Sequence, residues 1–191
     1  MTRIIAGSAG GRRIRVPSGT NTRPTSDRVR EALFSSLESE LGELSELRFL
    51  DLFAGSGAIG IEARSRGAGH VTMVEQGKNA AGLIRRNCDD LGLSGCEVVA
   101  LPVERVLSVP PLAPYDIVFA DPPYALSDEA VADLLDQVVA NSWAGSGAVL
   151  VVERSSRGSS VQWPSAVTGI QVRKYGETAL WYGLAISASS H

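Results

Sequence analysis

The stretch RFLDLFAGSGAIGIEA, residues 48–63, joins two patterns at one point. RFLDLF (48–53) is an apolar, strand-like run, and a helix-like run follows at about 57–67. Between them stand Gly55, Gly57 and, one helical turn on, Gly60. Gly55-x-Gly57 lets the backbone turn tightly and approach a ligand. The first N–H groups of the next helix face the same place. Asp51 sits at the strand end, and Glu75 ends the next strand-like run, HVTMVE (70–75). An acid there can accept from the two hydroxyls of a ribose.

Outward from this point the alternation continues. Strand-like runs recur at CEVVAL (96–101), YDIVFA (115–120) and GAVLVVE (147–153), with helix-like runs at 77–92 and 127–141 and a short turn of helix at 103–108. Strand–helix alternation implies an α/β domain with a mostly parallel sheet covered on both faces. The tail differs: IQVRKYG and ETALWYGLA are two strands around a Gly-Glu turn, so the sheet is expected to end in an antiparallel hairpin. At the other end, RIIAG and RRIRVP flank GSAGG and read as a small hairpin. A helix from about Arg28 to Leu41 follows, capped by Thr25, Ser26 or Asp27, with Val29, Leu33, Phe34 and Leu37 as its apolar stripe.

The 191 residues suit one domain with a small appendage, and 44% hydrophobic residues are enough for a core. No apolar run approaches the roughly 18 residues of a membrane span, and no signal peptide is read at the start. The two cysteines, Cys88 and Cys96, have no metal-ligand spacing and fit a reducing cytoplasm. The two histidines, His70 and His191, argue against a His-based triad or zinc site, and no metal is expected. The net charge of −3 hides an asymmetry. Residues 1–30 hold seven arginines (Arg3, Arg12, Arg13, Arg15, Arg23, Arg28, Arg30) against Asp27 alone, leaving the rest at −9. Seven arginines and no lysine favour bidentate phosphate or base contacts, as in a nucleic-acid-binding arm. The organisation expected is a basic hairpin extension over 1–30 and a catalytic domain over 31–191.

Gly55, Gly57 and Gly60 also fit a dinucleotide loop, GxGxxG. No Gly-Lys-Ser/Thr follows, so a P-loop is excluded. Asp51 decides between the nucleoside cofactors. It would repel a pyrophosphate but can hold an ammonium group, so Asp51 and Glu75 together suit S-adenosylmethionine better than NAD.

YDIVFA is expected beside RFLDLF, at the switch point where ligands bind, and it ends in Asp121-Pro122-Pro123-Tyr124. Neither proline offers an N–H, so the turn presents acceptors, complementary to an –NH₂ on a planar substrate. Tyr124 offers a face for that plane, worth roughly 1–3 kcal/mol per base.

DPPY resembles the amino-methyltransferase signature, and DLFAGSG resembles the S-adenosylmethionine loop of the same class. The stretch RIIAGSAGGRRIRVPSG…TRPTSDRVREALFSSL is similar to the opening of the RsmD family, and the resemblance covers nearly the whole chain. It implies a Rossmann-like class I methyltransferase fold and transfer to guanine N2 in small-subunit ribosomal RNA, at position 966 of the 16S molecule. It further implies that Asp51, Phe53, Gly55 and Gly57 form the methionine-side pocket, with Ala54 and Ser56 in the same loop and Glu75 and Gln76 at the ribose. Asp121, Pro122, Pro123 and Tyr124 would hold the target amine, and Arg23 and Thr25 would border the site. Arg3, Arg12, Arg13, Arg15 and Arg28 would join them on the RNA. Where such enzymes often carry an acid for the adenine amine, this chain reads Leu101-Pro102-Val103, which leaves the Val103 backbone and apolar packing for that ring. The implied partner is 16S rRNA in the small subunit or an assembly intermediate, met by a cytoplasmic monomer.

Three other readings stay open. DPPY is common in adenine-N6 methyltransferases, but DNA enzymes of that type usually carry a target-recognition segment, and only about 25 residues separate Tyr124 from the next strand. A protein-glutamine methyltransferase gains no support from the arginine arm. A non-catalytic RNA-binding or assembly protein on the same scaffold would not need Asp51, Gly55, Gly57, Glu75 and Asp121 intact.

Overall fold

The computed structural model describes residues 1–19 and 25–187 and divides into two compact units, Met1–Pro102 and Val103 onward. The fold class is the one expected, α/β with mostly parallel pairing and a C-terminal antiparallel hairpin.

In the first unit, β3 (Arg48–Leu52), β4 (His70–Val74) and β5 (Cys96–Val99) pair in parallel in the order β5-β4-β3. The helices α2 (Ala58–Ser65) and α3 (Lys78–Leu91) connect them. Phe49, Leu50 and Leu52 of β3 and Val71, Met73 and Val74 of β4 are buried, so successive side chains on both faces are covered. The parallel register puts Asp51 level with Met73 and brings the ends of β3 and β4 together at the glycine loop.

Helix α1 (Asp27–Leu41) starts where a cap was expected: Ser26 Oγ accepts from the Val29 amide at 3.3 Å. Val29, Leu33, Phe34 and Leu37 are buried, and the Phe34 ring stacks on Phe49 with centroids 6.0 Å apart.

The N-terminal hairpin is shorter than its sequence suggests. Strands β1 (Thr2–Arg3) and β2 (Arg13–Ile14) pair over two residues each. The next donors are drawn elsewhere. Ile5 and Ala6 give their N–H groups to the carboxylate of Glu62 on α2, at 2.9 and 3.0 Å. Ser8 and Ala9 bond to the carbonyl and hydroxyl of Ser65, and Ser65 Oγ donates to Ala6 O. Asn87 on α3 exchanges two bonds with the backbone of Arg15. The hairpin is thus fastened to α2 and α3 by side chains acting as backbone partners.

Glu62 is the hub of this attachment. It is fully buried and also accepts from Arg66 Nε at 2.9 Å, while Arg30 Nε lies 3.6 Å away as an ion pair. Arg30, fully buried too, reaches Asp27 at 3.1 Å and donates to the Arg3 carbonyl. Arg66 continues to Glu31 at 2.8 Å and lies over the Phe34 ring, 4.9 Å from its centroid.

In the second unit, α4 (Val103–Leu107) precedes β6 (Tyr115–Ala120), which pairs in parallel with β7 (Ala144–Ser155) across helix α5 (Asp128–Ala140). The antiparallel strands β9 (Thr178–Ala185) and β8 (Val167–Tyr175) follow, in the order β6-β7-β9-β8. Strand β7 begins three residues before the expected position. Ala144 pairs with Tyr115, and a bulge then separates that pair from Val149–Ile117, with Gly147 at φ +79° inside it. Strand β8 also starts three residues before the expected position, and Gly169 pairs with Gly183 beside Trp163. A Cβ on either glycine would come within 2.9 Å of that indole. Among the described residues no helix is long and apolar enough to cross a membrane, and both cysteines are free.

Removing one partner of a buried ion pair strands the other, at a cost of about 3–5 kcal/mol. Glu62→Ala is therefore expected to lower unfolding free energy in urea by about that amount. Glu38→Ala, 44% exposed at the rim of the same network, is expected to stay within about 0.5 kcal/mol.

Candidate functional site

The loop after β3 holds three left-handed residues in five: Phe53 at φ +60°, Gly55 at +58° and Gly57 at +80°. Phe53 pays for that conformation with roughly 1–2 kcal/mol, so the loop needs pins. Ala54 N–H donates to Val74 O at 2.8 Å, and Gly57 N–H closes the turn onto Ala54 O at 2.8 Å. The two predicted acids supply the rest. Asp51 Oδ2 accepts from Gly60 N–H at 3.0 Å, fixing the start of α2 to the strand end. Glu75 Oε2 accepts from Gly55 N–H at 2.9 Å and its Oε1 from Gly77 N–H at 2.8 Å. Both were expected to face a ligand, and both also hold the loop that would receive one. A carboxylate offers about four acceptor sites, so neither role excludes the other.

The glycines differ in what they make possible. A Cβ at Gly57 would lie 2.9 Å from Ile84 Cγ2, and one at Gly60 would lie 2.5 Å from Met73 Cγ. Gly57 lets the loop close onto α3, and Gly60 lets α2 close onto β4. A Cβ at Gly55 would meet nothing within 4 Å, so this part of the loop is open to a ligand. Ser56 Oγ accepts from Ala58 N–H at 3.4 Å, while Gln76 is exposed next to Glu75. No lysine or arginine occurs between Arg48 and Arg64. The loop therefore has acids at both ends and no base to neutralise a pyrophosphate.

Burial is the main force on Asp51, which is 1% exposed. It pushes the carboxyl up to about 8, against the Gly60 hydrogen bond and with help from the charge of Glu75. A buried acid that resists ionisation beside an open loop is suited to a cationic ligand, which would restore the charged form.

In the second unit, Asp121 follows β6 directly. It is half-buried, Pro122 is buried, Pro123 is exposed and Tyr124 is 59% exposed. The turn closes through Leu126 N–H to Pro123 O at 2.9 Å, and Ser127 Oγ caps α5 by accepting from Ala130 N–H at 3.1 Å. Val103 is buried as the first residue of α4. Among the described residues no group of three or more His, Cys, Asp or Glu side chains gathers as a metal site would require.

The arginines of the arm separate into two sets. Arg12 gives its guanidinium to the carbonyls of Asp90 and Leu91, at 2.8 and 3.4 Å, and Arg15 pairs with Asp90 at 3.3 Å. Arg30 is wholly internal. Arg3, Arg13 and Arg28 are exposed and form no ion pair among the described residues. Arg3 and Arg13 are directly opposed in the β1–β2 register, a like-charge pairing that is unfavourable without an anion. They line a cavity of about 410 Å³ with Thr2 and Asp27, whose carboxylate is engaged by Arg30. Thr25 is half-buried, and Arg23 lies outside the described residues.

Sequence reading missed Glu62 and Arg154. Glu62 looks like a solvent-facing helix residue; only its spacing to Arg66 hinted at a partner.

Residues 2–183 match the family model described as conserved hypothetical protein 95. The chain is 37% identical to Ribosomal RNA small subunit methyltransferase D of Haemophilus influenzae over 79% of its length and 77% of the relative's. It is likewise 37% identical to the Escherichia coli K12 protein of that name, over 79% of its length and 73% of the relative's. A Buchnera aphidicola protein of that name is 38% identical, with 63% of this chain aligned to 62% of the relative's length. Among solved structures, a putative methyltransferase from Escherichia coli superposes with a TM-score of 0.84 at 29% identity, covering 97% of this chain and 98% of the other.

The shifted Asp51 carboxyl gives stability a pH dependence whose sign is fixed. Between its ordinary value of 3.8 and about 8 the folded chain holds a proton that the unfolded chain has lost. Stability therefore falls as pH rises through that window, by up to about 1.4 kcal/mol per unit, and levels off above it. Urea midpoints of wild type and Asp51→Asn from pH 5 to 9 test this. The advantage of wild type over the variant is expected to shrink up to pH 8 and then hold constant.

Proposed function

The chain belongs to the conserved hypothetical protein 95 family, the RsmD family, and from that premise we propose that it is an S-adenosylmethionine-dependent methyltransferase acting on guanine N2 of small-subunit ribosomal RNA. One observation carries the reading: an open glycine loop pinned by two acids, with no basic residue in the sequence between Arg48 and Arg64 and with the Asp51 carboxyl pushed up to about 8 by burial.

When bound, S-adenosylmethionine supplies the electrophilic methyl carbon. Asp51 keeps an oxygen for its α-ammonium, and Glu75 keeps acceptor sites for the ribose hydroxyls. Phe53, Ala54, Gly55, Ser56 and Gly57 form the floor, and Gln76 and Val103 flank the nucleoside end. The cofactor loop belongs to the first unit and the amine turn to the second; methyl transfer requires both to act on one pair of substrates.

The guanine amine is a poor nucleophile because its lone pair is delocalised into the ring. Asp121 and the Pro122 carbonyl accept its two N–H bonds and orient the lone pair; positioning of this kind can supply several kcal/mol. As the nitrogen gains positive charge, the same acceptors bind it more tightly, which favours the transition state over the ground state. The alkylated nitrogen is acidic, so its proton leaves without a dedicated histidine. Pro123 stiffens the turn, and Tyr124 stacks on the extruded base. The arm brings the RNA, with Arg3, Arg13 and Arg28 on phosphates and Arg23 and Thr25 near the entrance. Arg12 and Arg15 serve the arm's attachment. The protein works as a cytoplasmic monomer on the small subunit or its precursor.

Asp121→Ala is expected to reduce methyl transfer to unmodified small-subunit rRNA by at least about 10²-fold. Cofactor affinity, measured by calorimetry, is expected to change less than about threefold. A variant with full activity would remove Asp121 from the mechanism. For the arm, Arg3→Ala/Arg13→Ala is expected to weaken RNA binding and flatten the log K against log salt slope by about 1.4–1.8. Arg12→Ala/Arg15→Ala is expected to leave that slope unchanged.

A further inference from the structure

We infer that Arg154 is a positioning residue for the Asp121–Tyr124 turn. The inference rests on the reading of that turn as the amine-holding site. Pro122 and Pro123 carry no N–H, so the turn has few donors of its own for its carbonyls. The Leu126 amide supplies one, to Pro123 O at 2.9 Å. Arg154 supplies further donors. Its Nη1 reaches Pro123 O at 3.4 Å, and its Nη2 reaches Leu126 O at 2.9 Å and Asp128 Oδ1 at 3.3 Å.

The sheet places it there. Strands β6 and β7 run parallel, with Ala120 paired to Val152. Arg154 stands two residues past that last pair, level with the turn that leaves β6. It is 9% exposed, so its charge is largely removed from water and depends on these acceptors. Holding the Pro123 carbonyl fixes the 123–124 peptide plane. The proline rings lock φ at 122 and 123 and carry that orientation back to the Pro122 carbonyl and Asp121. One guanidinium thereby restrains the acceptors that would hold the amine and ties them to the first turn of α5. A lysine cannot replace it, because a single ammonium has no planar fork to span separate carbonyls.

The test uses the full-length chain as wild type, Arg154→Lys, Arg154→Ala and Asp128→Asn. In the ligand-free protein, amide hydrogen exchange of residues 121–127 is expected to accelerate about tenfold in both Arg154 variants. With rRNA and cofactor, kcat is expected to fall at least about tenfold. KM for RNA and cofactor affinity are expected to stay within twofold. Asp128→Asn, which removes only the charge of the partner on α5, is expected to keep kcat within twofold. If Arg154→Ala does not fold, Arg154→Lys carries the test, since it keeps the charge and most of the stem. Unchanged exchange in Arg154→Lys would overturn the restraint, and faster exchange with unchanged kcat would overturn its role in positioning. The exchange measurement needs no methyl transfer. Faster exchange in the Arg154 variants together with a wild type that transfers no methyl group would therefore count against the amine reading and leave the restraint standing.

Discussion

A strand-to-helix loop with left-handed backbone at Phe53, Gly55 and Gly57 is the constraint on which the rest turns. Unsupported, such a loop would relax. Asp51 and Glu75 prevent this by accepting from Gly60, Gly55 and Gly77, and the β3–β4 register puts both acids where those donors are. The same choice excludes other chemistry. Loops that cradle phosphate offer N–H groups and a positive charge; here the donors nearest the opening are taken by carboxylates. What is left is a glycine loop open at Gly55 and edged by two acids.

Buried charge recurs at the N-terminus with a different purpose. Glu62 accepts from two backbone amides of the arm and from Arg66, and Arg30 lies against it with no exposure to solvent. A network of this kind adds little net stability over apolar packing, yet losing one member is costly. Its effect is to fix one arrangement. Arg30 holds the Arg3 carbonyl, so the hairpin that presents Arg3 and Arg13 is anchored from beneath. The arm's basic residues thus divide into an inner set that fastens it and an exposed set, Arg3, Arg13 and Arg28, whose side chains take no part in the attachment.

Much of this was legible in the sequence, for physical reasons. Strand–helix alternation fixes a parallel α/β architecture, and the Ser26 cap and the Val29, Leu33, Phe34 and Leu37 stripe mark α1 to within a residue. The glycine loop, Asp51, Glu75 and the proline turn are local signals, because each depends on neighbours in the chain. What stayed hidden is long-range. Glu62 is buried because residues more than 50 positions earlier fold over it. Arg154 reads as an ordinary strand end, and its acceptors lie 26 to 31 residues upstream. Charge counting treated the arm's arginines alike, whereas partners on α2 and α3 set Arg12, Arg15 and Arg30 apart. The extra length of β7 depends on a bulge at Gly147 that no apolar run announces.

The acceptor-only turn, the acid-pinned loop and the anchored basic arm make sense together as parts of an enzyme that alkylates an amine on a nucleobase in RNA. The most direct test is nucleoside mass spectrometry of small-subunit rRNA from cells lacking this chain, compared with cells that carry it. Loss of N2-methylguanosine at one position is expected, restored by the wild-type gene, with other methylated nucleosides unchanged. An unaltered N2-methylguanosine content, or a loss of N6-methyladenosine in its place, would contradict that activity.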